Sequence, residues 1–586
     1  MPDDGSVRQD TPDNPLTIPR DKKQLLKVAL ETIEICRTSV GSRSALCRQL
    51  NTMIETGRSD GARSRINKLY SHVDRLASHL FSPTHLRFSI DFENHYPENQ
   101  SERAQVAARL IDHNWERQNT DMKFGLGVRK SLDFGCSIFK QWCEQRGSKN
   151  IYNHSLVMPW QFGVYREDVN ELSKQPAFVE TSVLTYPEVW RRIWYLPDAH
   201  NLYKRIVSHG TRGSGGEEFN SFFHNVLSTS QLDTTGTAQA GGQPPGGIVQ
   251  MNNDPNYSIV GPQVIADVVK MHELWMWDDE DWGTIQIIEP DIIIFPKYKK
   301  GNLLIAGAKS GLHPYTKIQP NVQAGYFWGR SEVTDLMALQ MWLSTTADDI
   351  HRLFGLQVDK ILAFSGFDGV TDETYDQMRG AGFFNGPPGA SVSDLTPQFP
   401  PQSLQIVEMQ MKLIDNIGGF DNILSGSGEA GVRAAQHADM LLKTAAPRLR
   451  DRALITERQC AEAADLTLSL MQAKDGKKYW IDGRTPESME ETSFLLSDIP
   501  ADRRVSIDSH STSPIFADDH ENTIAFGVKA GLIDGEDAID LLPYIPPGYR
   551  ELLKQKYRDR QAAQAQTLEN LKKTDPEAYA KVLSKK

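Results

Sequence analysis

The chain has 586 residues, 39% of them hydrophobic and 24% charged, with a formal net charge of -12. This composition is that of a globular protein with its own core, and the negative charge argues against a surface that grips nucleic acid throughout, since such binding relies on Lys and Arg. No run of about 18 apolar residues occurs and the N-terminus is acidic and polar, so neither a transmembrane helix nor a signal peptide is expected in this chain, which we expect to be made in a cytoplasmic compartment.

The first part of the chain is predicted to be helical. Residues 1–20, rich in Pro, Asp and Thr, are expected to be disordered. From Asp21 to Leu80, apolar residues recur at spacings of three and four, which predicts helices that end before Pro83. The same spacing predicts further helices from Glu102 to Asn119 and from Phe124 to Gly135.

A mixed region follows. The stretch from Ser155 to Leu196 combines a strand pattern after Pro159 with a helix that Pro187 opens, which indicates an α+β region. Residues 208–256 are rich in Gly, Ser, Thr, Gln, Asn and Pro and have few apolar residues to bury. We predict a mobile surface insertion there, interrupted by one short helix near Phe219 to Leu227.

The next block is predicted to be rich in strands. Val268 to Trp277 and Trp282 to Ile288 are expected to pair as a hairpin around the acidic turn Asp278 to Asp281. Two short apolar stretches are bounded by proline, which suits strands at the edge of a small sheet. They are Ile292 to Pro296 and His313 to Pro320.

Several residue groups in the chain could carry chemistry, and each has a structural interpretation. Tryptophans 275, 277 and 282 could stack on bases, but their strand spacing favours a core or subunit-interface role. The acidic turn lacks the alternating ligands of a calcium loop, so a solvated turn is favoured. The cysteines form no Cys-x-x-Cys pair and are interpreted as buried free thiols. They are Cys36, Cys47, Cys136, Cys143 and Cys460.

A long amphipathic helix is predicted from Ser331 to about Leu356. Ser331 has the residue type of an N-cap, and Glu332 in the first turn complements the helix dipole. Polar Gln340 interrupts the apolar stripe. Such a stripe can bury against the same chain or against another copy. The stripe consists of Val333, Leu336, Leu343, Ala347, Ile350 and Phe354.

A Gly- and Pro-rich segment from Val358 to Gln402 separates this helix from the next, predicted from Ser403 to Ile417. Beyond Gly418-Gly419, the run Gly426-x-Gly428-x-x-Gly431 has the spacing of a dinucleotide fingerprint. That fingerprint normally follows a strand, whereas here the preceding pattern is helical. A glycine hinge is therefore favoured, and a nucleotide-binding enzyme stays as an alternative. No catalytic, cofactor or metal motif is found elsewhere.

The hinge leads into a long helical pattern in which Pro447 is expected to cause a kink. Its charges are interpreted as a solvated face with salt bridges, or alternatively as a contact with a neighbouring subunit or with passing phosphates. The tail from Arg550 to Lys586, with ten Lys/Arg and five Asp/Glu, predicts exposed helices that offer basic charge to a partner. The charged residues of the long helix are Arg433, Lys443, Arg448, Arg450, Arg452 and Arg458 against Asp439, Asp451 and Glu457.

The order of these elements resembles the portal protein of tailed double-stranded DNA bacteriophages, over roughly residues 20 to 545. It is the order rather than a single motif that is specific. The motifs that carry the resemblance are Asn67-Lys68-Leu69-Tyr70-x-x-Val73-Asp74-x-Leu76-Ala77, then Gly325-Tyr326-Phe327-Trp328-Gly329-Arg330-Ser331-Glu332, then the two helices around the Gly/Pro segment, and finally Ile423-Leu424-Ser425-Gly426-x-Gly428-x-x-Gly431-Val432-Arg433 before the long helix.

The resemblance implies an α+β, predominantly helical portal-type fold with wing, stem, clip and crown, assembled as a ring around a central channel. The ring is usually dodecameric, conducts DNA at one capsid vertex and has no catalysis or cofactor of its own. An acidic chain fits such a conduit, because DNA must slide without being held. The implied parts are a disordered arm 1–20, a wing 21–330 with the insertion 208–256, stem helices 331–356 and 403–417, a clip 357–402, a tunnel loop 418–432, a long kinked helix with a return to the wing 433–519, and a crown with a C-terminal tail 520–586.

The resemblance also implies sites and partners. The expected partners are other copies of the chain, double-stranded DNA, the terminase large subunit, a head-completion or tail adaptor protein, and the major capsid and scaffolding proteins, with no membrane and with the virion as the location. A head-to-tail adaptor is an alternative, although adaptors are generally much shorter. The tunnel-loop residues expected at the DNA channel are Asn422, Leu424, Ser425, Gly426, Ser427, Gly428 and Arg433. The exposed anchors expected in the clip are Phe364, Phe367, Tyr375, Phe383 and Phe384, each of which could instead pack in a core.

Overall fold

A computed structural model defines the fold. The predicted arm, nearly all of the predicted insertion at 208–256 and nearly all of the predicted tunnel loop lie outside the residues that it describes. Those residues are 21–38, 40–59, 63–83, 86–92, 99–146, 149–209, 268–278, 281–289, 291–294, 313–358, 362–366, 388–398, 400–419, 447–475 and 503–507, with short pieces between 479 and 499 and between 524 and 562.

The described residues form a mixed α+β fold of helices and several small antiparallel sheets. The helices are α1 Lys22–Arg37, α2 Val40–Thr56, α3 Lys68–Leu80, α4 Asn99–Gln118, α5 Thr120–Phe134, α6 Tyr186–Ile193, α7 Ala199–His209, α8 Glu332–Val358, α9 Ser403–Gly418 and α10 Pro447–Asp475. The strands are β1 Phe88–Phe92, β2 Ser137–Arg146, β3 Lys149–Val157, β4 Phe162–Val164, β5 Ala177–Thr185, β6 Val268–Asp278, β7 Asp281–Ile288, β8 Ile292–Ile294, β9 Tyr315–Ile318, β10 Leu362–Ser365, β11 Ser391–Asp394, β12 Tyr479–Trp480, β13 Phe494–Leu495 and β14 Arg503–Ile507.

Side-chain caps fix the starts of two of the helices that lie within the predicted helical region Asp21 to Leu80. The Asp21 carboxylate accepts hydrogen bonds from the backbone amides of Lys23 and Gln24 at 3.1 and 3.2 Å, so that it caps α1. The Asn67 side chain accepts from the amide of Tyr70 at 3.2 Å and caps α3, which ends before Pro83 as predicted. The helix that Pro187 was expected to open is confirmed as α6.

The largest core joins distant parts of the chain. Trp115 of α4 and Phe124 of α5 are fully buried, and Phe124 packs edge-on against Phe139 of β2 with ring centroids 5.6 Å apart. The buried indole N–H of Trp115 donates to the hydroxyl of Thr467 in α10 at 3.0 Å, across 352 residues of sequence. Because a buried indole N–H needs an acceptor, this bond fixes α10 against the N-terminal helices.

The predicted tryptophan hairpin is confirmed. β6 pairs with β7 in a register that sets Trp277 opposite Trp282 and Asp278 opposite Asp281, within a five-stranded sheet of order β4-β5-β6-β7-β8. All three tryptophans of this hairpin are buried, so the core role favoured for them is confirmed and they offer no stacking platform. The two proline-bounded strands, β8 and β9, lie at sheet edges as expected.

The hairpin formed by β2 and β3 is not predicted from the sequence. The reason is that β2 carries polar residues on buried positions. Gln141 is fully buried, donates to the carbonyl of Ala463 in α10 at 2.7 Å and accepts from the hydroxyl of Thr467 at 2.8 Å. These partners lie more than 300 residues away in the chain, so no local pattern reports them.

After α10 the chain returns to its N-terminal part, because β14 pairs antiparallel with β1 and sets Phe88 opposite Ile507. The buried guanidinium of Arg503 in β14 donates to Asp465 at 2.8 Å and to Gln472 at 2.6 Å, both in α10. The described part of α10 begins at Pro447. Proline lacks a backbone N–H, but the first residue of a helix has no partner for that group within the helix. Residues 433–446, on which the predicted kink depends, lie outside the described residues.

The predicted free thiols are confirmed. Four of the five cysteines are buried, Cys143 is half-buried, and none of the five forms a disulfide bond. Burial raises the pKa of both Cys47 and Cys136 to about 12, because it disfavours the charged thiolate. Within the described part of the chain, no helix combines the length and apolarity that crossing a membrane requires.

Candidate functional site

Helices α8 and α9 form an antiparallel hairpin. Near the tip, the Gln357 side chain of α8 donates to the carbonyl of Pro397 at 2.6 Å. Midway, the Gln410 side chain of α9 donates to the hydroxyl of Thr346 at 2.9 Å. The start of α8 and the end of α9 meet at the root. Helices were predicted at 331–356 and 403–417, and both predictions are confirmed.

The predicted N-cap of α8 is confirmed. The amide of Val333 donates to the Ser331 hydroxyl at 3.1 Å, and that hydroxyl donates to the carbonyl of Asp133 at the end of α5 at 2.6 Å. Because Ser331 is itself buried, the cap also attaches the root of the hairpin to α5.

Gln340 explains why the apolar stripe of α8 has a polar interruption. It is fully buried, and its side-chain carbonyl accepts from the amides of Lys68 and Leu69 at 3.1 and 3.2 Å. Its side-chain amide donates to the carbonyl of Ile66 at 2.8 Å. Gln340 therefore satisfies the first amides of α3, which have no partner within their own helix.

A buried polar junction joins the root of the hairpin to two further helices. Glu332, expected only to complement the dipole of α8, is 3% exposed, and its carboxylate lies 3.0 Å from the Arg452 guanidinium of α10 and 3.6 Å from Nε2 of His72 in α3. His72 lies against Gly418 of α9, where a Cβ would come within 1.9 Å of the imidazole. Only glycine fits at this position.

This junction corrects one interpretation of the charged face of α10. Arg452 does not belong to a solvated face, because it is buried against Glu332, and Glu457 is buried as well. Arg458, one and a half turns further along α10, is exposed as expected. Arg433 and Lys443 lie outside the described residues.

Beside its buried stripe, α9 has a second stripe of apolar residues that is largely exposed. Ile406, Met409 and Ile417 are 41 to 48% exposed, and half-buried Leu413 lies between them. A helix that is apolar on more than one face is normally covered on more than one face. The buried stripe, which packs on α8 and α3, consists of Ser403, Val407, Gln410, Ile414 and Gly418.

The outer surface of α8 has two large apolar residues among small and charged ones. Met341 and Trp342 are each more than 40% exposed, and Phe354 of the predicted stripe is also exposed, near the tip. The other exposed residues of this face follow at spacings of three and four. They are Thr334, Ala338, Thr345, Asp349 and Arg352.

A small sheet of β10 and β11 lies in the segment that connects α8 to α9. Phe364, one of the expected clip anchors, is half-buried in β10 opposite Val392, while Val392 and Leu395 are exposed. The other expected anchors, Phe367, Tyr375, Phe383 and Phe384, lie outside the described residues.

α9 ends at Gly418-Gly419, where the sequence predicts that the helical run breaks. Gly419 has a positive φ of 81°, and its amide donates to the carbonyl of Asn416, which closes the last turn. A helix rather than a strand thus precedes the Gly426 fingerprint, as expected. All seven expected tunnel-loop residues lie outside the described residues. They are Asn422, Leu424, Ser425, Gly426, Ser427, Gly428 and Arg433.

The open faces of α8 and α9 were not predicted as a site. The signal was present in the sequence, because Ile406, Leu413 and Ile417 form an apolar stripe beside the one that starts at Ser403. Among the described residues, no group of three His, Cys, Asp or Glu side chains is arranged to hold a metal ion. The chain matches neither a known protein-family model nor a curated protein.

Proposed function

We propose that this chain is a phage portal protein, the subunit of a ring at a unique capsid vertex through which double-stranded DNA is packaged and ejected. The single observation that carries the proposal is the α8–α9 hairpin with an apolar surface that none of the described residues covers. Its root is fixed in the fold by Gln340 and Glu332, while Ile406, Met409 and Trp342 stay open to contact another copy.

The architecture supports the same assignment. In this proposal α8 and α9 are the stem, the segment with β10 and β11 is the clip, and α1 to α7 with the larger sheets are the wing. The pairing of β14 with β1 supports a return of the chain to the wing after the long helix. The crown would follow from about residue 520.

The proposed channel would be lined by the segment after Gly418. Leu424, Ser425 and Ser427 have small or weakly interacting side chains, and Arg433 is the nearest positive charge. Such a segment would let DNA slide, and the net charge of -12 fits a conduit that does not hold phosphates tightly.

The remaining proposed partners follow from this role. The clip, with Phe364 and the exposed Val392 and Leu395, would dock the terminase large subunit during packaging and a head-completion or tail adaptor afterwards. The wing would contact the major capsid and scaffolding proteins. The assembled ring, with the dodecamer as the expected form, would reside in the virion.

Electron microscopy of the purified full-length chain, with mass measurement in solution, tests the proposal. We expect uniform rings with a central channel and a mass that corresponds to many copies of the chain. The reason is that contact with another copy would remove the apolar surface of the hairpin from water. Monomers or small dimers over a wide range of concentration and salt would contradict the proposed function.

A second test addresses the channel. Replacing residues 424–428 by a rigid helical sequence is expected to reduce the yield of DNA-filled particles by at least about tenfold while rings still form, because a stiff segment cannot yield to moving DNA. The matched control replaces the same residues by a flexible Gly/Ser sequence and should retain packaging. Normal packaging in the rigid variant would refute the tunnel-loop assignment.

A further inference from the structure

We infer that neighbouring copies meet through α8 of one copy and α9 of the next, packed antiparallel in one register. In this register Asp349 of one copy pairs with Lys412 of its neighbour, and Arg352 pairs with Glu408. The inference rests on the proposed ring and names the contact that builds it.

The four charges are available for this contact. Asp349 and Arg352 lie on the open face of α8, and Glu408 and Lys412 lie on the open face of α9. All four are exposed, and no ion pair joins any of them to another residue within the described part of the chain. Glu408 and Lys412 also line a shallow groove along α9, together with Gln405, Met409, Leu413 and Asn416.

Symmetry fixes the relative direction of the two helices. In a ring all copies have the same orientation with respect to the axis, so α8 of one copy runs antiparallel to α9 of the next, as it does within the chain. When the two helices are antiparallel, Asp349 can lie opposite Lys412 while Arg352 lies opposite Glu408. The registers that these two pairs require differ by only about one residue, or about 1.5 Å. In a parallel packing the same charges would face like charges.

The same register covers apolar surface. It covers exposed Met409 and half-buried Leu413, which line the groove beside Glu408 and Lys412, and it sets Thr345 level with Asn416. Burying these apolar side chains stabilises an interface, and the charged pairs lie beside them.

The register also predicts a geometry for the ring. Within the chain, Thr346 is level with Gln410, so the contact between copies is displaced along the helices by about five residues, or roughly 7.5 Å. Packed helices lie about 8–10 Å apart, and each copy contributes a hairpin that is two helices wide. A displacement of roughly 7.5 Å over that width corresponds to a hairpin that is tilted by roughly 20 to 25° from the ring axis. A hairpin parallel to the axis in a density map would contradict the register.

Charge reversal tests the pairing. Asp349→Lys and Lys412→Asp each place like charges in every contact between copies, and each is expected to raise the concentration at half-assembly by about tenfold. An equimolar mixture of the two variants, combined as unassembled chains, should assemble like the wild type, since alternating copies restore opposite charges at both kinds of contact. The double variant should assemble as well.

The outcomes separate this inference from the proposed function. If the wild type forms no ring, the proposed function fails. If the wild type forms a ring and both single variants assemble equally well, the register alone is wrong. Rescue in the double variant without rescue in the mixture would place the pair within one chain and overturn the contact between copies.

Disulfide trapping gives an independent readout. The variant Thr345→Cys/Asn416→Cys places two thiols level in the proposed register and should give a reducible ladder of cross-linked copies. Its control, Thr345→Cys/Gln405→Cys, uses positions that are equally exposed but misaligned by about 16 Å along the helix. Background is low, because four native cysteines are buried and Cys143 is half-buried. Equal ladders in both variants, or none in either, would contradict the register.

Discussion

Replacing Arg452 with methionine is expected to lower the free energy of unfolding by about 3 to 5 kcal/mol. The change leaves the Glu332 carboxylate, which is 3% exposed, without the guanidinium that lies 3.0 Å from it. Removing one partner of a buried ion pair is costly because the other charge stays out of water. Denaturant unfolding of the full-length chain at matched concentration measures the effect.

Two variants give this prediction its controls. Arg458→Met removes an exposed arginine from the same helix and should change the free energy of unfolding by about 0.5 kcal/mol or less. The double variant Glu332→Leu/Arg452→Met removes both charges, so it should be more stable than Arg452→Met alone. A double variant less stable than Arg452→Met alone would contradict a buried pair.

Replacing Lys140 with methionine is expected to have an effect of the same size, about 3 to 5 kcal/mol. The Lys140 ammonium lies 2.5 Å from the Glu180 carboxylate and 3.2 Å from that of Glu273, and all three side chains are largely buried. Burial disfavours the charge of Lys140, but Glu180 and then Glu273 outweigh it and raise the pKa of the ammonium above 10.5. Without this cation two carboxylates face each other in the core.

The pH dependence of this effect has a defined sign. Burial opposes ionisation of Glu273, but Lys140 and a hydrogen bond from Trp275 hold the pKa of Glu273 below 4.5. Its contribution to stability is therefore present above pH 4.5 and is lost as the pH falls through the lower value in the folded state. The difference in unfolding free energy between wild type and Lys140→Met should shrink below that pH.

The matched control is Lys27→Met in α1. Lys27 lies 3.8 Å from Glu31 on the surface, where the two side chains are 78% and 60% exposed. An exposed pair of this kind contributes about 0.2 to 1 kcal/mol at most, so the control should stay close to the wild type at every pH. Equal losses for Lys27→Met and Lys140→Met would contradict the buried network.

The junction at Glu332 also bears on the proposed function. It joins α8 and α9 to α3 and α10, and Gly418, which lies against His72, is the first residue of the proposed tunnel loop. The root of the hairpin is thus the point at which the proposed channel segment and the proposed wing are mechanically connected. Loss of Arg452 should therefore destabilise the fold and displace the proposed stem together.

Much of the candidate hairpin could be predicted from local patterns, and its open surface could not. The N-cap at Ser331 marked the start of α8, and the glycine pair Gly418-Gly419 marked the end of α9. The apolar stripe predicted that α8 is buried on one side. It did not predict what covers Ile406 and Met409, because hydrophobic burial is proportional to area and carries no information about which partner supplies the cover.

The sequence alone determined the elements whose causes lie within a few residues: the capped starts of α1 and α3, the helix opened by Pro187, and the hairpin that pairs Trp277 with Trp282. Only the tertiary structure decided the environment of Gln340, Arg452 and Lys140, each a polar residue inside the fold. Burying such a group is unfavourable unless a partner reaches it, and here partners come from segments 40 to more than 270 residues away. That pairing depends on long-range packing, which periodicity and capping signals do not encode.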